Sequence, residues 1–137
     1  MMRRSLLLLA LAAGLRADSA RDAWDVLSRA AAALTAGNAA GFLACFDPKM
    51  PAYGRLRADV TALVREAEPG SSIEQLENQG DDRVRTLKVD WLLNLVSRQD
   101  GVTSTRRQTT LQFRVEKQGS RWWITHWEPE GFFAPPV

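Results

Sequence analysis

The stretch that decides the fold is residues 89–129, which read VDWLLNLVSRQDGVTSTRRQTTLQFRVEKQGSRWWITHWEP. Apolar and polar residues alternate along two long runs that meet at Asp100 and Gly101, a pair typical of tight hairpin turns. A third run follows Gly119 and carries three tryptophans in six residues. This alternation predicts strands with one buried and one mostly polar face, as in an antiparallel sheet packed on one side. Because long strands twist and coil, we expect the sheet to curve.

Before Gly70 the apolar residues recur at a spacing close to four, which predicts helices rather than strands. The first helix is expected to begin at Ser19 and to stop at Gly37, with Trp24, Leu27, Ala31 and Leu34 on its apolar stripe. A short second helix is capped by Asn38, and a third begins near Pro51 and stops at Pro69 and Gly70. Three helices followed by a long antiparallel sheet make an α+β architecture.

The beginning of the chain has the composition of a secretory signal peptide of bacterial style. Arginines precede a short apolar run, after which small residues offer cleavage after Ala17 or Ser19. The run is shorter than the roughly 20 apolar residues that a membrane-spanning helix needs. We therefore expect residues 1–19 to be a signal peptide and residues 20–137 to form one domain. The mature protein is expected to be exported, periplasmic or extracellular, and without a membrane span.

Charge and cysteine content exclude several classes of function. Removal of residues 1–17 takes away three arginines and no acid, which leaves 15 basic against 16 acidic residues. A nucleic-acid-binding protein should keep a basic surface after maturation, so we expect no nucleic-acid partner. Cys45 is the single cysteine and His126 the single histidine, which excludes an intrachain disulfide and the common zinc patterns. The sequence has no glycine-rich phosphate loop either, and we expect no metal and no cofactor.

The order of elements, the stretch NAAGFLACFDP (residues 38–48) and the ending RWWITHWEPEGFF (residues 121–133) resemble the NTF2-like (SnoaL-like) superfamily. The resemblance covers roughly residues 20–134. It implies three helices laid across a long, curved antiparallel sheet to form a cone, with a pocket between helices and sheet. Some members of that superfamily use an Asp base or an Asp–His pair in this pocket, and many others bind ligands or form dimers. The link between the second and third helices is shorter here than in many members.

The expected pocket wall consists of side chains that face the interior of this cone. His126 shares parity with Trp122 and Ile124, and Arg107 shares parity with Phe113. An inward imidazole could act as a base, and an inward guanidinium could hold a carboxylate. The alternatives are a histidine at the edge of the core and an arginine that reaches solvent at a strand end. The pocket residues are expected to be Tyr53, Trp91, Arg107, Phe113, Trp122 and His126.

Trp123 and Trp127 have the opposite parity and are expected on the outer face of the sheet. Contiguous exposed aromatic residues usually mark an interface, which predicts a homodimer. The alternative is that the end of the chain, with Phe132 and Phe133, folds back over these indoles.

The main hypothesis is a non-enzymatic exported module, a homodimer whose apolar pocket binds a small ligand, apolar or carboxylate-bearing, or an envelope partner. The alternative is a small-molecule isomerase, dehydratase or cyclase that uses His126 with a carboxylate, Asp90. Alternation places Asp90 on the outer face, and Glu77 is a substitute acid. A third hypothesis is an interaction domain whose cone is filled by its own side chains.

Overall fold

The computed structural model describes the backbone of residues 2–136 and the side chains of residues 18–136. Within that part of the chain, three helices come first: α1 (Met2–Thr35), α2 (Ala39–Leu43) and α3 (Tyr53–Glu66). Four strands follow: β1 (Ala67–Gly80), β2 (Val84–Ser97), β3 (Ser104–Gln118) and β4 (Arg121–Glu128). A 3₁₀ turn spans Glu130–Phe133. Helices packed on a curved, unclosed antiparallel sheet confirm the predicted α+β cone.

The helices follow the predicted pattern more closely in their faces than in their ends. α1 begins at Met2 rather than at Ser19, since no proline interrupts the chain between them. Its predicted stripe is buried at Leu27 and Leu34 and half-buried at Trp24. The helix therefore packs on the sheet with the face that the sequence indicated.

The second and third helices differ in how well their ends were predicted. α2 is capped as predicted, because Oδ1 of Asn38 accepts a hydrogen bond from the N–H of Gly41 at 2.9 Å. α3 ends at Glu66, and Pro69 lies inside β1 instead of closing a helix. Proline is tolerated there because β1 is an edge strand of the sheet.

The sheet is an antiparallel meander in the order β1-β2-β3-β4. β2 and β3 are joined by a longer connection than the predicted tight turn. In it, Oδ1 of Asp100 accepts hydrogen bonds from the N–H groups of Val102 and Thr103, both at 2.9 Å. Gly101 has a φ of 69°, a left-handed conformation that favours glycine.

The pairing register shifts at two places in the described strands. In β1 the extra residue is Leu76, which has no partner in β2. In β4 it is Thr125, between Ile124 and His126. Bulges bend a strand and increase its twist, so they contribute to the curvature of the sheet.

The sheet face that packs on the helices is called the inner face below, and the opposite face the outer face. Between the helices and the inner face lies one continuous hydrophobic core. Cys45 belongs to it, and burial raises the pKa of its thiol, which agrees with the role of a small buried apolar residue. Among the described residues, no helix combines the length and the apolarity needed to cross a membrane.

Candidate functional site

The bulge at Thr125 reverses the expected orientation of the end of β4. Trp122 and Ile124 are buried, as the alternation predicted. Beyond Thr125 it is Trp127 that is buried, with 2% of its surface exposed, whereas half of the His126 side chain is exposed on the outer face. A shift of one residue turns every following side chain to the other face. For this reason the predicted inward position of His126 and the predicted outward position of Trp127 are both wrong.

The acid–base groups considered for an enzyme lie on the outer face. Nε2 of His126 is 2.9 Å from Oε1 of Glu128, and both side chains are largely exposed. Asp90 faces outward, as alternation indicated, and accepts a hydrogen bond from Nε2 of Gln108 at 3.0 Å. Glu77 is exposed as well. None of these carboxylates meets His126 inside the cone.

Of the two indoles expected at an interface, only Trp123 lies on the outer face. It is half-buried, and the guanidinium carbon of Arg121 lies 4.1 Å from its ring centroid. Trp127 instead packs edge-on against Phe46, with ring centroids 5.7 Å apart. The outer face of β2 and β3 is mostly polar, with exposed Lys88, Thr110, Gln112 and Arg114. The homodimer stays a prediction, which Trp127 does not support.

The C-terminal tail (residues 129–136) turns into the cone instead of covering the outer face. Phe133 is fully buried, and its ring centroid lies 5.1 Å from that of Trp91 and 5.0 Å from that of Phe42. Phe132 packs on Phe133, with ring centroids 5.2 Å apart. Phe113 packs behind Trp91 at 5.8 Å. Of the aromatic residues expected to line an open pocket, Trp91 therefore contacts a phenylalanine of the same chain.

Arg107 attaches the tail to the sheet. It points inward, and its Nη1 donates hydrogen bonds to the carbonyl oxygens of Phe132 at 2.8 Å and of Ala134 at 2.5 Å. Burial lowers the pKa of its guanidinium from the ordinary value, because loss of water disfavours the charged form. An arginine nevertheless keeps its charge in a protein. A positive charge thus lies where the aromatic interior meets the tail.

Tyr53 and Trp122 complete the set of predicted pocket residues. Tyr53 is half-buried at the start of α3 and packs against the core. Trp122 lines a different feature, a surface cleft of about 710 Å³ between α1 and β4. Its indole Nε1 has no hydrogen-bond partner among the described residues. The six predicted residues do not converge on one pocket: Trp91 and Arg107 contact the tail, whereas Trp122 lies apart.

An open cleft of about 880 Å³ adjoins Arg107 where the end of α3, the β2–β3 connection and the tail meet. Its charged lining residues are Arg65, Glu66, Arg98 and Arg107. Nη1 of Arg98 lies 3.5 Å from a carboxylate oxygen of Glu68, which partly neutralises it. Arg65 makes no ion pair within residues 18–136. The uncharged lining residues are Leu95, Ser97, Gln99, Thr103, Thr105 and Pro136.

Comparison with known proteins identifies the fold. No protein-family model and no curated protein matches the chain. An NTF2-like superfamily protein from Salmonella enterica serovar Typhimurium superposes with a TM-score of 0.66 over 88% of this chain and 94% of that protein, at 11% identity. An NTF2-like protein of unknown function from Shewanella oneidensis gives a TM-score of 0.61 over 77% and 93%, at 14% identity. The chain has the NTF2-like fold.

A further structural relative is a protein of unknown function from Mycobacterium tuberculosis, with a TM-score of 0.61 and 16% identity. The match covers 76% of this chain, and the chain spans 66% of the length of that protein. At these identities the likeness concerns the NTF2-like fold alone, and function has to be argued from the site.

A charged group beside the interior of this NTF2-like cone is the guanidinium of Arg107. Within residues 18–136 no group of three or more His, Cys, Asp or Glu side chains is arranged to hold a metal ion. The described interior brings no histidine together with a carboxylate. Arg107 offers a planar cationic donor at the border between the aromatic interior and the open cleft. Such a border suits a ligand with one apolar end and one anionic end.

Sequence reasoning missed the interior position of Phe132 and Phe133 and the presence of Arg65 and Arg98 at the cleft. Two adjacent phenylalanines near the end of a chain are a signal for docking, since their rings are costly to expose. The face of the sheet on which they dock depends on the direction of β4 after Thr125. No local sequence pattern predicts that direction. Arg65 and Arg98 are exposed arginines with no sequence signal of their own.

Proposed function

We propose that this chain is a non-enzymatic binding module that holds a small carboxylate-bearing ligand at the Arg107 cleft. The observation that carries the proposal is the position of Arg107, half-buried between the aromatic interior and the open cleft. A guanidinium binds a carboxylate through two parallel charge-assisted hydrogen bonds. These bonds are stronger where water is partly excluded. Arg65, on the wall of the same cleft, adds a second positive charge for the ligand.

Acid–base catalysis is not part of this proposal. A general base has to lie within hydrogen-bonding reach of the substrate, and a catalytic pair has to share its cavity. His126 and Glu128 are paired with each other on the outer face, away from the cleft at Arg107. Binding without reaction is therefore the function that this arrangement supports best.

Export of the protein belongs to the same proposal. Export is supported by the composition of residues 1–19. The core contacts of α1 lie at positions that allow residues 1–19 to be removed. Ala23 and Leu27, which α1 buries against the sheet, lie after both expected cleavage positions. The intact mass of the protein purified from the periplasm or the culture medium should equal that of a chain beginning at Asp18 or Ala20. A mass that still includes residues 1–17 would contradict export with cleavage.

The homodimer is a further part of the proposal, with the outer face of the sheet as its contact surface. Trp123, which is half-buried on that face beside Arg121, supports the proposed homodimer.

Calorimetric titration with a carboxylic acid and its neutral amide tests the ligand proposal. The probes are 4-phenylbutanoate and 4-phenylbutanamide, which differ in charge but hardly in size. We expect the acid to bind at least about 10-fold more tightly than the amide, because each charge-assisted bond is roughly twice as strong as a neutral one. R107Q should remove that preference. R106Q is the matched control, since the neighbouring Arg106 is exposed on the outer face. Equal affinity of the acid for wild type and R107Q would overturn the proposal.

A further inference from the structure

The docked tail displays the chemical features of a ligand. The ring of Phe133 lies between Trp91 and Phe42, and the carbonyl oxygens on either side of it accept hydrogen bonds from Arg107. The interior thus receives an aromatic ring, and the arginine receives oxygen acceptors at a fixed distance from that ring. An aromatic carboxylic acid combines the same two groups in one small molecule.

The covalent path through the tail gives the length of such a molecule. Three bonded atoms, Cβ, Cα and N of Phe133, separate its ring from the carbonyl carbon of Phe132. A phenyl ring joined to a carboxylate by three methylene groups reproduces this path. Its carboxylate would offer Arg107 two anionic oxygens in place of the two neutral carbonyl oxygens.

The hydrogen bonds of the tail allow it to be released as a unit. The backbone hydrogen bonds of the 3₁₀ turn, from the N–H of Phe132 to Pro129 and from that of Ala134 to Gly131, join tail residues to one another. Among the described residues, the hydrogen bonds that attach Phe132–Ala134 to the rest of the protein come from Arg107. The tail can therefore leave the interior by local opening without breaking the pairing of the sheet.

We propose that the interior position of Phe133 is a binding site for an arylalkanoic acid, and that the C-terminal tail fills this site when the ligand is absent. The ring of the acid replaces the ring of Phe133 against Trp91, and its carboxylate replaces the two tail carbonyls at Arg107. This inference rests on the proposed function, because both use the guanidinium of Arg107. It goes further in requiring that ligand and tail exclude each other.

Competition with the tail has a measurable consequence. When only the open fraction of molecules can bind, the apparent dissociation constant rises by the reciprocal of that fraction. Weakening the tail should therefore tighten binding of 4-phenylbutanoate. F133A removes the competing ring while Arg107 stays in place. We expect this variant to bind the acid at least about 10-fold more tightly than wild type, and to keep the preference for acid over amide.

F42A is the matched control. Phe42 is also fully buried and touches Phe133, but it belongs to α2 and not to the tail. Its truncation opens a similar volume and leaves the tail carbonyls on Arg107. An apolar cavity alone binds small aromatic molecules regardless of charge. We therefore expect F42A to prefer the acid to the amide no more strongly than wild type does. If F42A increased the affinity for the acid as much as F133A does, the inference would be overturned.

The titrations separate the two proposals. If wild type and F133A bind the acid equally well, and if adding R107Q to either protein abolishes binding, the ligand occupies the open cleft beside Arg107 and the tail stays docked. That result overturns the interior site and leaves the proposed function standing. If neither protein prefers the acid to the amide, both proposals are overturned.

Hydrogen exchange on the wild-type protein provides the test should F133A fail to fold. An excess of 4-phenylbutanoate should increase exchange at the amides of Phe132 and Ala134, since the displaced tail is in solvent. Amides in the middle of β2 should not change. Unchanged or slower exchange in the tail would overturn the inference.

Discussion

The ring of Phe133 lies 5.1 Å from that of Trp91, centroid to centroid, with the two planes at 80°. Edge-to-face packing of this kind is a preferred arrangement of aromatic pairs. It makes the last turn of the chain part of the core formed by α1–α3 and the inner face of the sheet. Because the same ring fills the proposed ligand position, we expect tail docking to influence both stability and affinity.

Truncation of Phe133 should be costly. F133A is expected to lower the free energy of unfolding by about 3–5 kcal/mol, the usual range for a buried phenylalanine. V102A is the control, because Val102 is 81% exposed and should change the value by about 0.5 kcal/mol at most. Urea denaturation followed by tryptophan fluorescence measures both. A cost below about 1 kcal/mol for F133A would mean that the tail is not docked in solution.

The bulge in β4 predicts effects of different size for two tryptophans of this strand. W127A removes a buried ring that packs on Phe46 and should cost about 3–5 kcal/mol. W123A removes a half-buried outer indole and its contact with Arg121, worth about 1 kcal/mol or less. Thermal or urea unfolding of the two variants compares them directly. A larger loss for W123A would show that the register of β4 differs from the one described.

Trp123 also provides the test of the homodimer. If two copies pair through the outer face, the wild-type protein should have twice the monomer mass in light scattering, and W123A should shift towards the monomer. T110A, on the same face but without an aromatic ring, should leave the mass unchanged. A monomeric wild type at high concentration would remove the homodimer from the proposal.

Arg107 should contribute to stability through the tail. R107Q leaves the carbonyl groups of Phe132 and Ala134 without their donor, at a cost of about 1–3 kcal/mol. The free energy of unfolding of R106Q, a change at an exposed position, should differ from that of wild type by about 0.5 kcal/mol at most. Hydrogen exchange in residues 130–134 should be faster in R107Q than in R106Q. Equal exchange in the two variants would contradict the attachment described here.

The β2–β3 connection should make stability depend on acid pH. The hydroxyl of Thr103 and the N–H groups of Val102 and Thr103 donate to Asp100 and lower its pKa to about 2. In the unfolded chain the pKa of an aspartate is about 3.9. The folded-state pKa is the lower one, so the ionised group stabilises the fold above about pH 4, and this contribution is lost as the pH falls towards 2.

D100N tests this dependence. Its Tm should lie below that of wild type at neutral pH, and the difference should shrink between about pH 4 and pH 2. D82N, which removes the same charge from an exposed acid in the β1–β2 connection, is the control. A Tm difference for D100N that does not change with pH would contradict the role of the Asp100 carboxylate.

The sequence predicted the parts of the fold in which a local pattern runs without interruption. Alternation predicted the buried faces of β2 and β3 because their register is regular along its whole length. It was wrong after Thr125, because a bulge adds one residue and local composition does not reveal where. His126 and Trp127 exchanged faces for that reason alone.

The candidate site was less predictable than the fold because it is assembled from distant segments. Parity with Phe113 predicted that Arg107 points inward, and it does. The partners of Arg107 are main-chain carbonyls of the tail, which carry no side-chain signature in the sequence. Arg65 reaches the same cleft from the end of α3. Contacts of this kind follow from tertiary packing, which periodicity does not encode.

The most direct measurement is a crystal structure of the F133A variant with 4-phenylbutanoate. We expect the phenyl ring to lie against Trp91 where the ring of Phe133 lies in the wild-type chain, with the carboxylate hydrogen-bonded to Arg107 and the tail displaced. An acid bound elsewhere on the surface, with Arg107 still donating to the carbonyls of Phe132 and Ala134, would contradict the central claim that Arg107 holds the carboxylate of a ligand.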